Sequence, residues 1–262
     1  MKRLMFVTLM LTLVGASLSA HDVWIEPTTF TPGLGEIVGV RLRVGQDFLG
    51  DPMPRNTALV DQFVVEDAEG RKPVVGRHGA DPAGLLRVAT PGVLVVGYRS
   101  HQSTVDQTAD KFNQYLKEEG LEAIAALRAR RGQAGPVREG YSRCAKSLLV
   151  SGAAIGDAAD RPLGCRVELV AERNPFAMAR GAELPVRVTY DNRPLAGVLV
   201  VAINRQHPSE KLSARSDRNG RVAFRLPRTG AWLIKAVHMV EPPAGAGVDW
   251  VSYWASLTFE LS

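Results

Sequence analysis

Cysteine is scarce in this chain. Cys144 and Cys165 are the only two in 262 residues, with no C-x-x-C pair and no histidine close to either, which argues against a thiolate metal site. Long apolar runs are missing as well. After the first twenty residues no window reaches the roughly 18 uninterrupted apolar residues of a membrane-spanning helix. Basic residues are scattered. The nearest approach to a patch is Arg128-Ala129-Arg130-Arg131, without interleaved aromatics, so nucleic acid is not an expected partner. G-x-S-x-G, H-E-x-x-H, the P-loop and the dinucleotide fingerprint are all absent, and no internal repeat or low-complexity tract stands out.

What is present begins with a leader. Lys2 and Arg3 form a basic n-region, Leu4 to Val14 an apolar stretch, and Ala20 a small residue for cleavage, so residues 1–20 read as a secretory signal peptide. A cut after Ser19 fits the small-x-small pattern too and leaves Ala20 ahead of His21. Loss of Lys2 and Arg3 lowers the net charge from +5 to +3. In an oxidising compartment the cysteine pair, 21 positions apart, is most simply a disulfide. Closing that loop is worth about 3 kcal/mol on the chain-entropy model.

Patterning points to a mainly β protein. Val38, Val40, Leu42 and Val44 alternate with the period of a half-buried strand. Residues 84–100 hold two apolar runs broken by Thr90-Pro91-Gly92, which suggests a hairpin. The period then changes to 3–4 at Val105, Ala109, Phe112 and Leu116, with Thr104 or Asp106 as N-cap and Gly120 as a stop before a second helix from Leu121. The expectation is two β-sandwich-like domains: 21–145 with a helical insertion over about 105–131, a linker over 146–164, and a sandwich over 165–262. Asn219-Gly220 is the strongest hairpin signal.

Five histidines carry the functional question. If cleavage follows Ala20, His21 offers its α-amino nitrogen and its Nδ1 to one metal ion. The amine's reference pKa near 7.7–8.0 lets it yield its proton to a metal at neutral pH. A third nitrogen would complete a histidine brace, a geometry suited to Cu(II) or Ni(II), with Co(II) and Zn(II) also accommodated. His238 shares a strand face with Trp232, Ile234 and Ala236, so it is either a core histidine or a ligand beside Asp249. His101 lies at the junction between strand and helix. Asp22 and Asp249 are weaker oxygen donors, while His78 and His207 fall in turns that face solvent. Trp250, Tyr253 and Trp254 read either as core or as a stacking platform of a binding module.

The blocks "AHDVWIEPTTFTPGLGEIVGVRLRVGQDF", "FNQYLKEEGLEAI", "YSRCAKSL", "ELPVRVTYDNRPLAGVLV" and "GAWLIKAVHM…DWVSYWASLTFEL" together resemble the DUF4198 family across nearly all of the mature chain. That resemblance implies export to the periplasm, a C-terminal half similar to transthyretin-like or carboxypeptidase-regulatory-like sandwiches, and an association with cobalt/nickel uptake. His21 and His238 fall inside matching blocks and are carried over as ligands, and His101 is kept on its position alone. The resulting expectation is a non-enzymatic periplasmic protein capturing Ni(II) or Co(II) for an inner-membrane transporter. Its alternatives are a copper histidine-brace protein, either an oxidative enzyme or a carrier, and a non-metal interaction module.

Overall fold

The computed structural model describes residues 21–152, 160–179 and 181–262, so the expected signal peptide lies outside the described residues. In chain order the strands of the first half are β1 (Asp22–Pro27), β2 (Ile37–Gln46), β3 (Leu49–Pro52), β4 (Val60–Asp67), β5 (Gly70–Pro73), β6 (Gly84–Arg87), β7 (Gly92–Ser100) and β8 (Ser103–Gln107). Helices α1 (Ala109–Glu118) and α2 (Glu122–Arg130) follow, and then β9 (Val137–Ser151). The second half holds β10 (Val167–Ala171), β11 (Glu183–Tyr190), β12 (Arg193–Pro194), β13 (Leu199–Asn204), β14 (His207–Arg215), β15 (Arg221–Arg225), β16 (Gly230–Val240) and β17 (Trp250–Leu261). The protein is mainly β, built as packed sheets.

One nine-stranded sheet runs through both halves in the order β14-β13-β16-β17-β9-β7-β4-β5, with β8 also on β9. Its centre is the parallel pairing of β17 with β9, from Trp250 opposite Glu139 to Thr258 opposite Ser147. Both faces of this sheet are covered. The four-stranded sheet of β1, β2, β3 and β6 lies on one face, where Val23, Ile25, Val40 and Leu42 pack with Phe63, Leu94, Val96 and Leu149. The sheet of β10, β11, β12 and β15 lies on the other, where Val186, Val188 and Phe224 meet Val200, Ile234 and Leu257. Each such side chain contributes about 1.5–3 kcal/mol by leaving water. Two sandwiches thus share a middle layer.

Burial on both faces explains the composition of the central strands. In β17 the residues Val251, Tyr253, Ala255, Leu257 and Phe259 point toward the β10 sheet. The alternate positions carry hydroxyls that bind β1: Ser256 Oγ donates to the Val23 carbonyl at 2.7 Å and Thr258 Oγ1 to that of Ile25 at 2.8 Å. In β9 the strand continues past residue 145 through Lys146-Ser147-Leu148-Leu149-Val150-Ser151, all buried. The first six positions of the expected linker are therefore strand, because Leu148 and Leu149 each serve the core of a different face.

Some local expectations give way to sheet packing. Thr104 and Asp106 are not caps: both lie in β8, paired with Gly140 and Arg138 of β9. The N-cap is Thr108, whose Oγ1 accepts from the Lys111 N–H at 3.4 Å. The turn at Thr90-Pro91-Gly92 joins β6, which pairs with β2, to β7, which pairs with β4 and β9. Asn219-Gly220 likewise joins β14 to β15, strands of different sheets. Both turns reverse the chain, but each carries it from one layer to another.

The helical pair covers the end of the β16-β17-β9 surface, burying Phe112, Tyr115 and Leu116 against Val237, Met239, Trp250 and Trp254. Beneath it lies Glu139, whose carboxylate accepts from Ser252 Oγ, Gln107 Nε2 and, at 3.2 Å, Tyr115 Oη. Burial pushes this carboxyl up to about 7 even though those donors oppose the shift.

Candidate functional site

His21 stands immediately before β1, and the residues around it fix the chain there. Its carbonyl oxygen accepts from Arg143 Nη2 at 3.4 Å. Asp22 is buried, and both of its carboxylate oxygens accept from Lys235 Nζ of β16, at 2.9 and 3.0 Å. The same ammonium donates to Glu119 at the end of α1, at 2.8 Å. Burial disfavours the charged lysine, yet the two carboxylates outweigh it and hold the Lys235 ammonium above its ordinary pKa. Burial raises the Glu119 carboxyl, and Lys235 pulls it back. Asp22 is thereby committed to an ion triad and is not a free oxygen donor. A cleft of about 240 Å³ opens beside the triad, bordered by Gln46, Asp47 and Lys211.

His238 lies on the other side of the central sheet. Along β16, Lys235 and His238 have opposite parity: Lys235 reaches β1, while His238 points with Ile234 and Ala236 toward the β10 sheet. There its ring meets Tyr190 of β11 edge-on, centroids 4.8 Å apart. Burial lowers the His238 pKa, opposed by Asp191. A neutral imidazole is what a metal requires, but here it packs on Tyr190 and lies opposite Tyr253 of β17. Arg166 holds Asp191 through two bonds of 2.8 and 2.6 Å and donates to Tyr253 Oη at 2.9 Å and Tyr190 Oη at 3.1 Å. The structure does not bring His21 and His238 together.

The remaining sequence candidates are also separated. His101 is exposed, its Nδ1 4.0 Å from Asp61 Oδ1. Asp249 serves the backbone: its Oδ2 accepts the Arg138 N–H at 2.7 Å, and its own N–H donates to the Arg138 carbonyl at 2.7 Å, pinning the start of β17 to β9. Among the described residues no three His, Cys, Asp or Glu side chains gather as a metal-binding group. A brace whose third nitrogen comes from His238 does not fit this arrangement, whereas the two nitrogens that His21 alone offers after cleavage do not depend on it.

Sequence reasoning missed a cleft of about 300 Å³ at the seam between β9, β17 and β10. Asp61, Arg99, His101, Arg143, Arg166 and Tyr253 border it, beside the disulfide that joins Cys144 to Cys165 with Cα atoms 6.1 Å apart. Arg99 pairs with Asp61 and donates to the Gly164 carbonyl at 2.7 Å. The three arginines come from β7, β9 and the approach to β10, and only sheet register assembles them. The cysteine pair was the one signal that these segments meet.

Comparison with known proteins gives a family and little else. No curated protein matches the chain. A solved structure described as the D0-D1 domain of Intimin aligns over 92% of this chain and 98% of its own, at 11% identity and a TM-score of 0.21, too low to carry an argument. No helix among the described residues is long and apolar enough to cross a membrane. The profile described as "Domain of unknown function (DUF4198)" matches residues 18–240, a span that takes in the β1 anchor, both helices and β16 through His238; the chain belongs to the DUF4198 family.

Proposed function

We propose that this is an exported periplasmic protein that captures Ni(II) or Co(II) through a mature N-terminus at His21 and passes it to an uptake transporter in the inner membrane. The observation that carries this reading is the tether at residue 22. The Asp22–Lys235–Glu119 triad and the bond from Arg143 to the His21 carbonyl hold the chain directly behind the chelating residue. A terminus fixed in this way loses less conformational freedom when it binds than a frayed one does. Amine and Nδ1 supply two nitrogens, and the other coordination positions stay open to water or to a partner's ligands, as a carrier requires.

Calorimetric titration of Ni(II), Co(II), Cu(II) and Zn(II) into protein starting at His21, and into protein that retains Ala20, tests this. The expected result is binding at least about tenfold weaker in the extended form. Equal binding by both, or none by either, overturns it. Copper should bind tightest in vitro whatever the physiological metal. Reductant-dependent peroxide consumption by the copper form would move the reading to a copper enzyme.

A second reading rests on the 300 Å³ cleft with Arg99 and Arg166 on its border: an interaction module for an anionic ligand. In that case Arg166→Ala abolishes function and extension before His21 leaves it intact.

A further inference from the structure

Buried on the β10 side of the central sheet, behind the Cys165 edge of the 300 Å³ cleft, is a second cluster whose chemistry has no part in metal capture. Lys146 of β9, Asp160 and Glu168 of β10 have side chains that are 1%, 0% and 1% exposed. Lys146 Nζ lies 2.7 Å from Asp160 Oδ1 and 3.2 Å from Glu168 Oε1. It also donates to the carbonyls of Arg161 at 2.9 Å and Leu169 at 3.1 Å, which fix its position. Backbone N–H groups converge on both acids. Asp160 accepts from Arg161 at 2.7 Å through Oδ1 and from Ala171 at 2.9 Å through Oδ2. Glu168 accepts from Leu163, Gly164 and Cys165 at 2.6, 3.1 and 3.2 Å.

We propose that Lys146 and Asp160 condense within the folded chain into an intramolecular amide, with Glu168 as the group that moves the protons. Glu168 Oε1 takes a proton from the ammonium, and the freed Nζ lone pair attacks Cγ of Asp160. Negative charge on the tetrahedral carbon's oxygens is met by the N–H groups of Arg161 and Ala171, which already point there. Oδ2 remains as the amide carbonyl oxygen. Oδ1 leaves as water, carrying two hydrogens that were on Nζ, and Glu168 ends as it began, ionised. One ammonium and one carboxylate become one amide and one water, with no other reactant.

Four features favour the reaction here over the same pair in solution. Nucleophile and electrophile are held in contact, which replaces a bimolecular encounter by an intramolecular one. Released water leaves a site that solvent does not reach. A neutral amide replaces a buried ion pair, whose charges are costly to keep from water. Burial also pushes the Asp160 carboxyl up from its ordinary value, easing loss of its charge. The product would close a second covalent loop inside the one made by Cys144 and Cys165, fastening the passage from β9 to β10 even when the disulfide is reduced.

Intact mass of the purified, reduced protein tests this, read against a Lys146→Arg variant made identically. The expected wild-type mass falls short of its sequence mass by one water, and digestion releases a branched peptide joining Lys146 to Asp160, both absent from the variant. Folded wild-type protein at full sequence mass, with no branched peptide, overturns the proposal. Glu168→Gln, checked for folding by circular dichroism, should slow formation of the amide by about 100-fold or more. A folded Glu168→Gln protein that cross-links as fast as wild type removes Glu168 from the reaction.

Discussion

Lys235 and Lys146 each lie between an aspartate and a glutamate, yet the two sites differ in what surrounds them. Lys235 draws in residues 22 and 119 from distant parts of the chain and borders a cleft, its side chain 13% exposed. Lys146 takes partners from the segment just after its own strand, and among the described residues backbone amides supply the further bonds its two acids make. The first arrangement is a tether whose charges water can partly compensate. The second is a dry pocket in which charge has no outlet except pairing or reaction. Composition is the same; solvent access separates the roles.

Removing each cation is the most direct way to break that comparison. Lys146→Met leaves two carboxylates without their counter-ion in a sealed interior, and denaturant unfolding should show a loss of about 3–5 kcal/mol. The amide would add to that loss. Lys235→Met should cost less, about 2 kcal/mol, because water from the adjoining cleft can reach Asp22 and Glu119. Equal losses at the two sites would show that solvent access is not what distinguishes them.

Glu139 sharpens the point, being a buried acid with no lysine beside it. Its folded-state pKa of about 7 lies above the ordinary 4.5, so the fold favours the protonated carboxyl. That contribution is fully present below pH 4.5 and is lost as pH rises through 7. The difference amounts to about 3 kcal/mol across the window. Stability measured by urea unfolding should therefore fall between those pH values in wild type, and Glu139→Gln should flatten the slope. A slope unchanged by the substitution would place the titration elsewhere.

The chain's text carried the strands better than their partners. Alternation at Val38 to Val44 marks β2 because one face of that strand is wetter than the other. In β9 and β17, buried on both faces, alternation disappears, and a run such as Lys146 to Ser151 is read as linker unless the second covering layer is known. Turn chemistry at Asn219-Gly220 fixes a local reversal but not which sheet receives the next strand. Asp22 and Lys235 stand 213 positions apart, and nothing local to either announces the other. For Lys146 there was a signal, a single lysine inside the buried run "CAKSLLV", whose charge must find partners wherever the fold supplies them.

The smallest expected effect bears on the histidines. His238 and His21 lie on opposite faces of the central sheet, one against Tyr190 and the other beside the Asp22 tether. His238→Phe keeps an aromatic ring packed on Tyr190 and removes both imidazole nitrogens. Protein starting at His21 should then bind Ni(II) with a dissociation constant within about twofold of wild type by calorimetry. A large loss in His238→Phe with the fold intact would mean that metal reaches both faces of the sheet. A chain that binds through two nitrogens at its terminus has no means of doing that, so such a loss would refute the chelate at His21 as the capture site.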